Sequence, residues 1–144
     1  MGSFEQILAR DGRLIYKTRG VSMLPMLHQD RDLVVIEPPK GRLQKYDVAL
    51  YRRGKYYVLH RVIRVLDGAY VILGDNTYTP ETVPDSAVIG VLTAFSRKGK
   101  SCRVEDRSYR LYVRFWWAVY PLRRLLLPVR PVLGRAARKL GLRK

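Results

Sequence analysis

Two hydrophobic periods run along this 144-residue chain, one near two residues and one near 3.6, and they divide it. A helix signal comes first. Ser3-Phe4-Glu5-Gln6 has the form of a capping box, in which a hydroxyl accepts from the third helical N–H and that residue's side chain reaches back. Gly12 stands where such a helix stops, so a short helix is predicted over residues 4–10, covering one end of a sheet. β-prone runs follow: Leu14-Ile15-Tyr16, Leu33-Val34-Val35-Ile36 and Val48-Ala49-Leu50-Tyr51, parted by Gly20, Asp30, Pro38-Pro39 and Gly41. The longest run, 56–66, is entered after Gly54 and left at Asp67-Gly68, a pair suited to a type I′ hairpin turn. Residues 69–73 run back, 87–95 form another strand, and 101–105 make a last one. No internal repeat or low-complexity linker interrupts them. The expectation is a mainly β domain of antiparallel hairpins, a small curled sheet or barrel.

From about Ser108 the period becomes helical. Arg107, Arg110, Arg114 and Arg124 fall close together on a helical wheel, and Phe115, Trp116, Trp117, Val119, Tyr120 and Leu122 cover much of the rest. Pro121 is expected to kink this helix and Pro128 to end it. Pro131 starts a second, with Val132, Leu133, Ala136, Ala137 and Leu140 on one side and Arg135, Arg138 and Lys139 on the other. The division expected is thus a β domain over 1–106 and an amphipathic helical tail over 107–144.

Charge sharpens that division. The chain holds 28 Lys and Arg against 12 Asp and Glu, a net of +16. Residues 1–106 contain 17 basic and 12 acidic residues; residues 107–144 contain 11 basic residues and no acidic one. Such asymmetry points to a polyanionic partner for the tail, a lipid surface or a nucleic acid. A single cysteine, Cys102, rules out an internal disulfide and a cysteine metal cluster, and two histidines leave little for zinc. No cofactor is expected. No apolar run reaches the roughly 18 residues that cross a bilayer, and the first residues do not read as a secretory signal.

Three short segments carry candidate chemistry. Arg19-Gly20-Val21-Ser22-Met23-Leu24-Pro25 puts a serine between a glycine that permits unusual backbone angles and a proline that sets the exit. Taken alone, it is also a fair description of an ordinary turn with an exposed serine. A serine hydroxyl needs a base. His28 lies in a polar loop and reads as solvated; His60 lies inside the β-rich run Val58-Leu59-His60-Arg61-Val62, where a neighbour could equally satisfy it. Leu73-Gly74-Asp75-Asn76 ends a strand with a carboxylate, and a carboxylate can orient an imidazole.

In this order, Gly-x-Ser-Met-x-Pro, strand His-Arg-Val and Gly-Asp-Asn resemble the type I signal peptidase superfamily, in the subgroup of the endoplasmic reticulum, archaea and some Gram-positive bacteria that uses a histidine base. Asp32-Leu33-Val34-Val35 and Asp47-Val48-Ala49-Leu50 are similar to the family's Gly-Asp stretches, with Arg31 and Tyr46 where glycine is usual, and 85–91 resembles its closing strand. The resemblance spans about residues 13–97. It implies a signal-peptidase-like curled sheet, Ser22 as nucleophile, His60 as general base and acid, and an oxyanion site at the Ser22 N–H. Relatives with a side-chain hydroxyl two residues before the serine have a donor there; Gly20 occupies that oxyanion position here and supplies none. The orienting acid implied is Asp75, with Glu81 close behind. The substrate implied is an extended peptide or precursor lying along a sheet edge.

Most signal peptidases carry a transmembrane helix before the serine, whereas the residues preceding Ser22 are too polar to span. The tail is the expected replacement, holding the protein peripherally on the cytoplasmic face of a bacterial or archaeal inner membrane. Trp116 and Trp117 suit the headgroup boundary, Leu125, Leu126 and Leu127 lie deeper, and Arg123 and Arg124 face phosphates. Each basic residue near an anionic leaflet contributes about 1 kcal/mol. Two other readings fit the charge: a nucleic-acid-binding protein, which leaves the serine, histidine and Gly-Asp-Asn segments unexplained, and a catalytically silent membrane scaffold.

Overall fold

The computed structural model describes residues 2–126; the helix expected from Pro131, Leu127 and the stop at Pro128 lie outside the described residues. The chain divides into two units, the first ending at Arg110 and the second beginning at Leu111.

The first unit opens on α1 (Phe4–Asp11). Ser3 caps it, its hydroxyl accepting from the Gln6 N–H at 3.2 Å while Gln6 Oε1 accepts from the Ser3 N–H at 2.9 Å. Gly12 ends it at φ +72°, donating to the Leu8 carbonyl. An L side chain resists that angle, which is why the helix stops there.

Eight strands follow: β1 (Leu14–Lys17), β2 (Leu33–Glu37), β3 (Val48–Arg53), β4 (Tyr56–Leu66), β5 (Ala69–Leu73), β6 (Glu81–Pro84), β7 (Val88–Arg97) and β8 (Lys100–Arg103). All pair antiparallel, in the order β1-β2-β7-β3-β4-β5-β6, with β8 beside β7. β7 is the pivot. Its first half pairs with β3, its second half with β8, and β2 lies along its other side. Register shifts at Val35/Ile36, Leu50/Tyr51 and between Val62 and Arg64 mark irregularities, the devices by which a twisted sheet bends. β1 and β6 end the pairing path, so among the described residues the sheet is open and not a closed barrel.

The alternation that predicts the strands also builds the core. Leu43, Ala49, Tyr51, Val62, Tyr70, Ile72 and Val83 bury together, each large aliphatic worth roughly 1.5–3 kcal/mol. Two-residue turns set the registers. Gly54, at φ +59°, lets Arg53 pair with Tyr56. At the 67–68 turn only Gly68 has positive φ, so this hairpin is not the expected type I′; Lys98 and Gly99, both at positive φ, make the turn between β7 and β8.

β6 goes beyond the sequence reading. Its residues, flanked by Pro80 and ending in Pro84, resemble a turn, but an edge strand tolerates a missing N–H. A 3₁₀ turn, Asp85–Ala87, precedes β7 and moves its start to Val88.

α2 (Arg107–Ala118) crosses from the first unit into the second, and α3 (Tyr120–Leu126) follows it. The break at Val119 agrees with the expected kink, since Pro121 has no N–H to give the Trp117 carbonyl.

Candidate active site

The serine lies in a loop pinned from below. Met23, Met26 and Leu27 are buried, and Leu27 N–H donates to the Met23 carbonyl at 3.0 Å. Gly20 adopts φ +82°, and its N–H donates to Gln29 Oε1 at 2.9 Å. Gly20 therefore shapes the turn, and its N–H is already taken by Gln29. Ser22 stands half-buried at the rim, and among the described residues nothing accepts its N–H.

The segment after β5 fastens to this loop. Asn76 donates its backbone N–H to the Ser22 carbonyl at 2.8 Å and its side-chain amide to the Val21 carbonyl at 3.1 Å. Gly74 permits the contact: a Cβ there would lie 2.7 Å from the Ser22 carbonyl oxygen and 3.1 Å from His60 Nε2. Backbone does not yield to a 2.7 Å contact, so any side chain at 74 would push the serine loop away from the imidazole.

His60 comes from β4. The Gly54 turn sets its partner as Ala49 and puts Tyr51, two residues along β3, on the same face. Tyr51 Oη lies 3.4 Å from His60 Nδ1 and donates in turn to Glu81 Oε1. Arg53 donates to the same oxygen, with Nη2 2.5 Å from Oε1 and 3.4 Å from Tyr51 Oη. The result is a chain from imidazole to phenol to carboxylate to guanidinium. Burial pushes the His60 pKa below its ordinary 6.5 and Arg53 adds to this, while Glu81 and Asp75 oppose it. Burial by itself would raise Glu81, but Arg53 and Tyr51 hold it below the usual carboxylate range. Among the described residues no hydrogen bond joins Ser22 Oγ to His60.

Asp75 is placed differently from expectation. Its Oδ1 and Oδ2 accept from Arg61 Nε and Nη2 at 2.8 and 2.9 Å, and neither side chain has any exposed surface. Its carboxylate is thus engaged by a full positive charge on the residue after His60, while its own charge still favours the His60 imidazolium. Arg61 also donates to the Tyr46 carbonyl and Tyr109 Oη, both at 2.9 Å. It ties β4 to the Gly-Asp-Asn segment beneath the site. Glu81 is the acid that reaches the imidazole, through Tyr51.

Ser22 and His60 line one cleft of about 720 Å³. Its walls come chiefly from segments 16–23 and 53–60. His28 belongs elsewhere, its N–H donating to Asp32 Oδ2. Among the described residues no group of His, Cys, Asp or Glu could hold a metal ion.

Sequence reasoning missed Tyr51, Arg53 and the Arg61 clamp. The two-residue turn at Gly54 was the available signal, since counting back from it pairs Ala49 with His60 and brings Tyr51 alongside.

The second unit carries the residues expected to meet lipid. Arg123 lies 4.0 Å over the Trp116 ring and 5.3 Å from both Trp117 and Tyr120, and it donates to the Trp116 carbonyl at 2.9 Å. Beside three rings and a helix-end carbonyl, the Arg123 guanidinium stacks and caps. The two indoles are half-buried, while Arg124 and Leu126 are exposed. The outward large apolar positions of this unit are Leu111 (60%), Phe115 (65%), Leu122 (60%), Leu125 (74%) and Leu126 (59%), spaced as one broad helical stripe with exposed Ala118. No described helix is long and apolar enough to cross a membrane.

No family model and no curated protein matches the chain.

Proposed function

We propose that this chain is a serine endopeptidase of the signal-peptidase kind, working at a membrane surface on an extended peptide or precursor. The observation that carries the reading is the junction at Gly74, where the absent side chain lets the Ser22 backbone and His60 Nε2 border one small space at a shared cleft. The order of the serine, histidine and Gly-Asp-Asn segments adds the resemblance to that superfamily and to its curled-sheet fold.

The chemistry follows from the atoms present. For Nε2 to act as base, Nδ1 carries the ring proton and gives it to Tyr51 Oη, whose own proton goes toward Glu81. Tyr51 and Glu81 are positioning residues in this scheme. Nε2 takes the proton from Ser22 Oγ as Oγ attacks the scissile carbonyl carbon. Catalytic hydrogen bonds of this kind commonly tighten when substrate binds. The developing oxyanion accepts from the Ser22 N–H. Collapse breaks the C–N bond, and the amine leaves with the proton held by His60. Water then attacks the acyl ester, giving a proton to His60 that passes back to Ser22 Oγ.

For the setting, the Leu111–Phe115–Leu122–Leu125 stripe, with exposed Arg114 flanking it and exposed Arg124 on the same helices, suits an anionic lipid surface, with apolar side chains in the acyl boundary and arginines reaching phosphates. Nucleic-acid binding would use the same charge but leaves the serine–histidine cleft without a purpose.

The test is labelling with a fluorophosphonate, mapped by mass spectrometry. Adduct is expected on Ser22 and is lost in Ser22→Ala and His60→Ala variants that keep the wild-type circular dichroism spectrum. A Ser22 that stays unmodified in folded protein, or peptide cleavage undiminished in Ser22→Ala, overturns the reading.

A further inference from the structure

The cleft's charged lining has one sign. Lys17 and Arg19 stand on one wall, Arg53 and Lys55 on the other, and no Asp or Glu lines it. Arg53 is neutralised by Glu81 at 2.5 Å. Lys17, Arg19 and Lys55 are exposed, and among the described residues none of the three forms an ion pair.

Their placement suits an extended ligand. Lys17 and Arg19 are exposed on either side of buried Thr18, and all three line the cleft, Lys17 at the end of β1 and Arg19 just past it. Lys17 ends β1, which among the described residues pairs only with β2 and so keeps an unpaired edge. Arg53 and Lys55 flank the Gly54 turn opposite. The floor is apolar, with Met23, Leu27 and Leu59 buried. An apolar floor between cationic rims admits small uncharged side chains inward and favours carboxylates outward. Basic side chains meet repulsion at the same rims.

We infer that the cleft selects peptides carrying acidic residues close to the bond that is cut, with Lys17, Arg19 and Lys55 as the specificity determinants. The inference rests on the peptidase reading and names its substrate class.

The experiment uses the full chain and three matched peptide pools. Each has a central segment of randomised Ala, Ser, Val and Leu with one flanking position fixed as Glu, Gln or Lys, and cleavage is followed by mass spectrometry at low salt. The Glu pool is expected to be cut at least about tenfold faster than the Lys pool, a difference of about 1.4 kcal/mol. The advantage shrinks in roughly 1 M salt, where the Debye length falls to about 3 Å. It shrinks likewise in the Lys17→Gln/Arg19→Gln double variant. Equal rates for the Glu and Lys pools overturn the inference while leaving the peptidase reading standing. Cleavage of no pool overturns the inference too, and a missing fluorophosphonate adduct on Ser22 in the same sample takes the peptidase reading with it.

Discussion

Gly74 stands so close to Ser22 that a single added carbon would sit 2.7 Å from the serine's carbonyl oxygen. Gly74→Ala is therefore expected to displace the serine loop from the imidazole. Misplacement by about 1 Å at a reacting centre costs on the order of 10²-fold in rate. The second-order rate of fluorophosphonate acylation checks it, alongside a thermal melt showing that the variant folds. Wild-type acylation in Gly74→Ala would mean the approach of the two segments has no bearing on reactivity.

Arg61 and Asp75 form a fully buried pair. Removing one partner of such a pair leaves an uncompensated charge in the core and typically costs about 3–5 kcal/mol. Asp75→Asn should lower the urea midpoint accordingly, marking Asp75 as a residue of the scaffold. A variant as stable as wild type that has lost all Ser22 reactivity would return Asp75 to the chemistry.

The acid limb of reactivity should lie below pH 6.5. His60 acts when neutral, and burial with Arg53 holds its pKa below the ordinary value. Activity is thus complete above that lowered pKa and is lost as pH falls through it. Glu81→Gln removes a charge that favours the imidazolium and leaves Arg53 uncompensated, so the limb moves further down. Arg53→Gln moves it up. Acylation rates across pH read both directions.

Tyr51→Phe deletes the oxygen that stands between His60 and Glu81. The imidazole loses its anchor, and a fall of about tenfold in acylation rate, ~1.4 kcal/mol in barrier, is expected with little loss of folding stability. Histidine side-chain NMR supplies the second readout: the Nδ1–H signal should broaden or shift in the variant. An unchanged rate and signal would remove Tyr51 from the positioning chain.

Phe115 and Leu122 should carry lipid binding more than the indoles do. Each large apolar side chain buried in the acyl boundary contributes roughly 1.5–3 kcal/mol. Phe115→Ser/Leu122→Ser is expected to weaken sedimentation with anionic liposomes at least about 10²-fold. Trp116→Phe, whose ring still stacks on Arg123, should change little. The reverse ranking would place the contact on the tryptophans.

The strand pattern was readable because its causes are local. β4 and β5 have the bounds of the β-prone runs 56–66 and 69–73, and α1 agrees through Ser3, Gln6 and Gly12. β6 was not readable, because its prolines mark a turn everywhere except at the edge of a sheet, and edge position is a property of the whole sheet. The Arg61 partner of Asp75 was hidden for a similar reason. The place of Asp75 in the chain puts it near His60, but which positive group its carboxylate meets depends on how β4 and β5 pair and on the face that Arg61 presents.

By itself the amino-acid sequence determined the helix cap, most strand bounds, the break near Pro121 and the concentration of positive charge after residue 106, since each depends on a few neighbouring residues or on composition. Only the tertiary structure decided that Glu81 reaches His60 through Tyr51, that Asp75 pairs with Arg61, that Arg123 folds over nearby aromatic rings and that Lys17, Arg19 and Lys55 line one cleft. Those relations join residues tens of positions apart, and a carboxylate or guanidinium chooses among distant partners by distance and burial, which local pattern does not encode.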